Sequence, residues 1–249
     1  MSGIYYVYMK WTRETHENRA ISGRHLLTFS SRWDADELFR GLQTLRTSAG
    51  ASRFPTLKRV SPQFWCYDAI EGDPWWTIVN VQHENVLPEF NYKFMSIILN
   101  EGNSDPHRNW PVLANPTIGP DWVSGKTPYI RNRRQPSLYW YSADYLIVIS
   151  TNRRTKFCIK DKSYDGERVL IRKDEVTIQP VGSLGTPIGK YVIKSGDGEV
   201  LTVGSTRQVW DFSDLFDSVG VTWSDETEVS PETQFATSLP KLGDEWELC

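Results

Sequence analysis

SLYWYSADYLIVIST, residues 137–151, is the stretch that decides the fold. Aromatic and β-branched side chains dominate it, and these residue types fit a pleated, half-buried surface. It reads as a strand or a pair of strands. On its C-terminal side, short apolar runs follow at 156–159, 168–171, 176–180, 191–194 and 200–203. SYDG (163–166) and SGDG (195–198) supply tight turns between neighbours. On its N-terminal side lies a long irregular region, 101–136, rich in Asn, Pro and Gly. A stretch of that length inside a compact domain is usually functional, an interface, or without order of its own.

Further upstream, 4–11 alternates with bulky aromatics and predicts a strand. The polar segment 12–18 predicts a turn, and 20–29 a returning strand. The segment DADELFRGLQTLR (34–46) is the clearest helix. Leu38, Leu42 and Leu45 recur at i, i+4 and i+7, and Ser30, Ser31 and Asp34 are N-cap candidates. Runs at 63–70, 75–81 and 92–99 predict three more strands, the first two parted by the turn signal EGDP (71–74). Residues 208–219 predict a short helix with Val209, Phe212 and Phe216 on one side. Many short strands, turn signals and one good helix predict a mainly β fold with a few helices, an antiparallel β-sandwich decorated by helices. No boundary interrupts the pattern, so a single domain, 1–249, is expected. The acidic segment 221–249 shows neither helical nor strand period and is expected to be an irregular tail.

Composition limits function. The chain has 249 residues and a net charge of −3, which gives no overall basic footprint for sequence-specific nucleic-acid binding. Mean hydropathy is −0.47. The longest apolar run, 145–149, is far too short to span a bilayer, so no membrane partner is expected. The opening MSGIYYVYMKW lacks the charged and apolar regions of a secretory signal. Cys66, Cys158 and Cys249 are too few and too scattered for a disulfide framework. Both features point to a cytoplasmic location. Eleven Trp, eleven Tyr and ten Phe exceed what one core should need, so some rings are expected at contact surfaces.

Motifs for catalysis are thin. His16, His25, His83 and His107 are dispersed, without Cys or His at zinc-finger spacing, so no metal is expected. GSLGTPIGKY (182–191) approaches a phosphate loop, but Leu184 stands where the first glycine belongs and Tyr191 where the hydroxyl residue belongs. It is expected to be a loop between strands. No G-x-S-x-G elbow occurs. The pair Glu226 and Glu228 is a two-residue match to ADP-ribosyltransferases of the sort chance supplies. An enzyme is not expected and no cofactor is required.

Two basic clusters remain. Arg131, Arg133 and Arg134 precede the aromatic strand, and Arg153, Arg154 and Lys156 follow it. Guanidinium groups near Tyr139, Trp140 and Tyr141 could hold a phosphate and stack on a base, which makes a nucleotide the candidate ligand. Arg131, Arg133, Arg134 and Tyr139 are its candidate contacts.

The order of IYYVYMKW (4–11), ADELFRGLQTLR (35–46), NYKFMSIIL (91–99), SLYWYSADYLIVIST (137–151) and VWDFSDLFDSVGVTW (209–223) resembles the cypovirus polyhedrins, insect-virus proteins that crystallise inside infected cells. The resemblance implies a non-catalytic, self-assembling matrix protein built from trimers. Such a protein packs into a cytoplasmic lattice, embeds virus particles and dissolves at alkaline pH. Members of that family can bind nucleotides, which would give the arginine clusters a role. The tail 221–249 would then serve as an assembly arm, with Trp223, Phe235, Leu239 and Trp246 as its contacts. The alternative is a carbohydrate-binding, lectin-like β-sandwich that uses exposed aromatic rings, and an unrecognised enzyme is the third reading.

Overall fold

The computed structural model describes residues 4–12, 24–68, 74–98, 119–196, 200–222, 234–238 and 246–249. Among the described residues the protein is mainly β, with 42% strand and 14% helix, and the three sheets are mostly antiparallel with one curled into a half-barrel. The expected fold class is borne out. The chain clusters into two compact units, Met1–Ile118 and Gly119–Cys249, where the sequence shows no break in composition.

The first unit is a five-stranded sheet with helices. Its strands are β1 (Tyr5–Trp11), β2 (Arg24–Phe29), β3 (Lys58–Ser61), β4 (Phe64–Tyr67) and β5 (Phe94–Ile98), in the order β3-β4-β1-β2-β5. β1 runs parallel to β4, and the other pairs are antiparallel. Register places Trp65, Met9 and His25 in one row on one face of the sheet. Helix α1 (Arg32–Thr44) covers that face: Phe39 meets Trp65 edge-on at 5.0 Å between ring centroids. Ser31 caps the helix by accepting from the Asp34 N–H, and its hydroxyl donates to the Asp34 carboxylate at 2.6 Å. One of the helix's N-terminal N–H groups is thereby satisfied, and the second bond fixes the rotamer of the capping hydroxyl. Leu45 leaves the helix as its C-cap, and the Arg46 guanidinium donates to the carbonyls of Gln43 and Leu45. Asp36, fully buried, pairs with Arg59 at 2.6 Å and with Arg32 at 3.4 Å.

One element there differs from the sequence expectation. Residues 75–81, expected as a strand, lie in helix α2 (Pro74–His83). Pro74 occupies the first helical position, where its missing N–H costs nothing and its fixed φ is already helical. Ile78 and Val81, both 2% exposed and one turn apart, anchor the helix.

The second unit holds the other strands: β6 (Ile130–Asn132), β7 (Tyr139–Ala143), β8 (Leu146–Ser150), β9 (Phe157–Asp161), β10 (Glu175–Pro180), β11 (Tyr191–Lys194), β12 (Leu201–Gly204), β13 (Trp210–Asp211), β14 (Val219–Thr222), β15 (Gln234–Ser238) and β16 (Trp246–Leu248). One sheet runs β13-β10-β9. The other runs β11-β12-β8-β7-β6-β16, with β15 pairing both β8 and β14. The stretch 137–151 is therefore the hairpin β7–β8, turned at Asp144 with a positive φ of 52°. The segment 168–171 forms a single bridge, Val123 to Val169, in place of a strand. The expected helix at 208–219 is divided among β13, a four-residue helix α3 (Asp214–Asp217) and the start of β14.

Within 221–249, expected to be irregular, the described residues include strand: β14, β15 and β16 each pair antiparallel with another strand. Trp246 is 1% exposed, meets Trp140 edge-on at 5.8 Å, and donates its indole N–H to the Val219 carbonyl at 2.8 Å. It is a core residue of its own chain, not a contact to a neighbour. Part of the aromatic surplus has the same destination, while Tyr92, Tyr145 and Tyr164 stay exposed. Trp11, Trp65, Trp122, Trp140, Trp210 and Trp246 are all buried, which removes them as exposed lectin-type rings.

Candidate anion-binding face

Four neighbouring strands build this face. Register aligns Glu247 of β16 with Arg131 of β6, Arg131 with Tyr139 of β7, and Tyr139 with Ser150 of β8. Alternation puts their neighbours on the other side: Trp246, Ile130, Trp140 and Ile149 are all buried. Trp140, expected beside the arginines, therefore belongs to the core.

Two turns deliver the remaining cations. The Asn132 side chain accepts from the backbone N–H groups of Arg134 and Gln135, which folds the turn after β6. The Ser150 hydroxyl accepts from the N–H groups of Asn152 and Arg153, turning the chain back beside β7. There Thr155 donates its N–H to the Trp140 carbonyl, and its hydroxyl accepts from the Ser142 N–H. That strap lays the second basic cluster over tyrosine rings. Arg153 stacks over Tyr141 at 4.6 Å from the ring centroid. Arg154 covers Tyr129 at 4.6 Å and Tyr139 at 5.5 Å. Lys156 lies 5.5 Å from the Tyr129 centroid and bridges to that residue through the backbone.

The expected residues thus come together in part. Arg131, Tyr139 and the strap cations share one face, while Arg133 and Arg134 stand exposed on the adjoining turn. Glu247 takes Arg131 in a two-nitrogen ion pair and reaches Arg133 at 3.9 Å. The hydrogen bond that Arg131 donates to Glu247 pushes the Arg131 pKa above its ordinary value, so that guanidinium is permanently charged. Six cations lie on this face or on the adjoining turn, and among the described residues Glu247 engages two of them, Arg131 and Arg133. Tyr129 and Glu247 were not among the expected contacts. Tyr129 is two residues before Arg131, the spacing that puts strand side chains on one face, so that signal was available. Glu247 reaches the site only through a long-range strand pairing.

Arg153 donates to the Tyr141 hydroxyl at 3.4 Å, and the planar fork of a guanidinium suits the oxygens of a phosphate. Of the expected assembly contacts, Trp223 and Leu239 lie outside the described residues, and Phe235 is placed only by its backbone pairing to Val148 and Thr222. Among the described residues no group of three or more His, Cys, Asp or Glu is placed to hold a metal ion. No described helix is long and apolar enough to cross a membrane. The loop 182–191 leads into strand β11 as expected, with Gly185 and Gly189 at positive φ. Comparison with protein families and with curated proteins finds no match to this chain.

Proposed function

We propose that the protein is a non-catalytic binding module that takes a phosphate-bearing ligand, with a nucleotide the best fit, on the arginine–tyrosine face of its second unit. The observation that carries this reading is Arg154 lying over both Tyr129 and Tyr139, with Lys156 beside the same ring. Rings backed by cations offer stacking surface for a base and charge for its phosphates at one place. Calorimetric titration of the full chain with ATP, AMP and inorganic polyphosphate at low and high salt tests it. Binding is expected to weaken as salt rises and to fall at least tenfold in Arg154→Ala. Affinity unchanged in that variant, or no binding of any of the three, overturns the reading.

A second reading, self-assembly into a cytoplasmic matrix around virus particles, has its own supporting observation. Tyr92, Met95 and Val60 of the first unit project into solvent, with Tyr92 fully exposed. Exposed apolar side chains of this size favour contact with further copies. Light scattering on concentrated protein should show large particles at neutral pH that shrink when the exposed side chains are made polar in a Tyr92→Ser, Met95→Ser variant. A monodisperse sample at neutral pH sinks it.

A further inference from the structure

A second recognition surface lies on strands β9 and β10, and its chemistry differs from that of the cationic face. Register pairs Gln179 with Cys158 and Thr177 with Lys160, so these four residues share one side of the two-strand ribbon, Lys160 exposed, Gln179 half-buried, and Thr177 and Cys158 buried beneath them. Phe157, Ile159, Val176 and Ile178 fill the opposite side and are buried. Two adjoining hollows open on the outward side, of about 330 Å³ and about 410 Å³. Lys160, Asp165 and Gln179 line both. Tyr164, Tyr191 and Arg207 wall the first, and Lys126, Gly166 and Pro187 the second. Each volume falls within the roughly 300–1,000 Å³ typical of small-molecule sites.

The charges in this groove largely cancel. Lys160 pairs with Asp165 at 2.6 Å, Lys126 with Glu167 at 2.5 Å, and Lys162 with Glu175 at 3.0 Å. Asp161 is held by Arg168 and by the N–H groups of Ser163 and Tyr164. What the groove offers is hydrogen bonding among paired charges, with Arg207 the one lining cation without an ion pair among the described residues. The Gln179 amide, a donor and an acceptor, has no hydrogen-bond partner among the described residues and sits where the hollows join. Tyr164 is fixed at the rim by Arg168, 5.1 Å over its ring, and by Gly166. A Cβ on Gly166 would come within 2.6 Å of that ring. Paired acids and bases, a free amide and tyrosine rings match a ligand whose hydroxyls donate and accept in turn and whose C–H face packs on an aromatic plane.

We propose that the β9–β10 groove binds a neutral saccharide, with one sugar unit in each hollow and Gln179 at the junction. This does not rest on the nucleotide reading, because the two sites share no residue. The test is a panel of neutral cello-, chito-, manno- and galacto-oligosaccharides, titrated into the full chain by calorimetry and saturation-transfer NMR at 0.15 and 1 M salt. At least one is expected to bind with an affinity that salt leaves unchanged and that excess ATP does not compete away. Gln179→Ala and Tyr191→Ala should each weaken it at least tenfold. Should either variant misfold, chemical-shift changes in the unaltered chain are expected at Thr177, Gln179 and Tyr191. The proposal is overturned if no oligosaccharide binds at millimolar concentration, if salt or ATP abolishes binding, if a folded Gln179→Ala binds normally, or if the shifts map elsewhere.

Discussion

Trp246 shows how a single residue can be misplaced by its sequence neighbourhood. It sits in WEL, a strand of three residues, too short for alternation to be visible. Its burial follows from the pairing of Trp246 with Asn132, a partner more than a hundred positions away. Asp36 was easier to place on the helix, but its burial beside Arg59 depends on a strand beyond the helix. Cys158 is a third case, with a chemical consequence. Its thiol faces the groove side of β9 but is only 7% exposed, and burial pushes its pKa above the ordinary 9.0, opposed by Lys160. Below that value folded and unfolded chains both keep the proton, and stability does not change through this group. As pH rises past 9.0 the unfolded chain releases its proton first, so stability falls until the folded-state pKa is reached. Urea midpoints measured from pH 8 to 11 should therefore drop more steeply for the wild type than for Cys158→Ala. Parallel curves would show that the thiol is not held neutral by the fold.

Among elements, those legible in the sequence are those whose signals are local. Helix α1 carries its own cap, its own apolar stripe at Leu38 and Leu42, and a terminating arginine within one continuous segment. The hairpins β1–β2 and β7–β8 are equally self-contained. Helix α2 was hidden because a short apolar run has no decisive period, and Pro74 read as part of a turn also opens a helix. The candidate site divides in the same way. Its cations and Tyr139 were visible as clusters beside a strand, whereas the Tyr129–Arg154 stack and the Glu247 pair need tertiary register. The cap gives the clearest expectation at this scale. Ser31→Ala removes the acceptor for the Asp34 N–H and the donor to its carboxylate, and should cost about 1 kcal/mol. Chemical denaturation would read this as a lower midpoint with an unchanged slope, and Ser31→Thr, which keeps both the acceptor and the donor, should recover most of it. An unchanged midpoint in the alanine variant would mean the cap contributes nothing to α1.

At the scale of the whole molecule, the C-terminal strands test whether 221–249 is an arm or part of the fold. An arm that serves only neighbouring copies could be cut away and leave a stable, soluble remainder. In the second unit, however, β15 covers the edge of β8 at Val148 and Ile149, and β16 covers the edge of β6 from Ile130 to Asn132. Removing them strips backbone partners from both strands and takes the Trp246 indole from beside Trp140, whose ring also packs on Phe157 at 5.7 Å. Truncating a buried tryptophan alone costs about 3–5 kcal/mol, and whole domains are stable by only ~5–15 kcal/mol. A chain ending at Val219 should therefore lose the fold of the second unit. Its two-dimensional NMR spectrum should show the amides of β6, β7 and β8 collapsing to unfolded shifts. The first unit encloses its own core around Trp65 and Phe39, and among the described residues none of its strands pairs into the removed segment, so its amides should stay dispersed. Dispersed, native-like signals for Trp140 and Ile147 in the truncated chain would instead return the last thirty residues to the role of an arm.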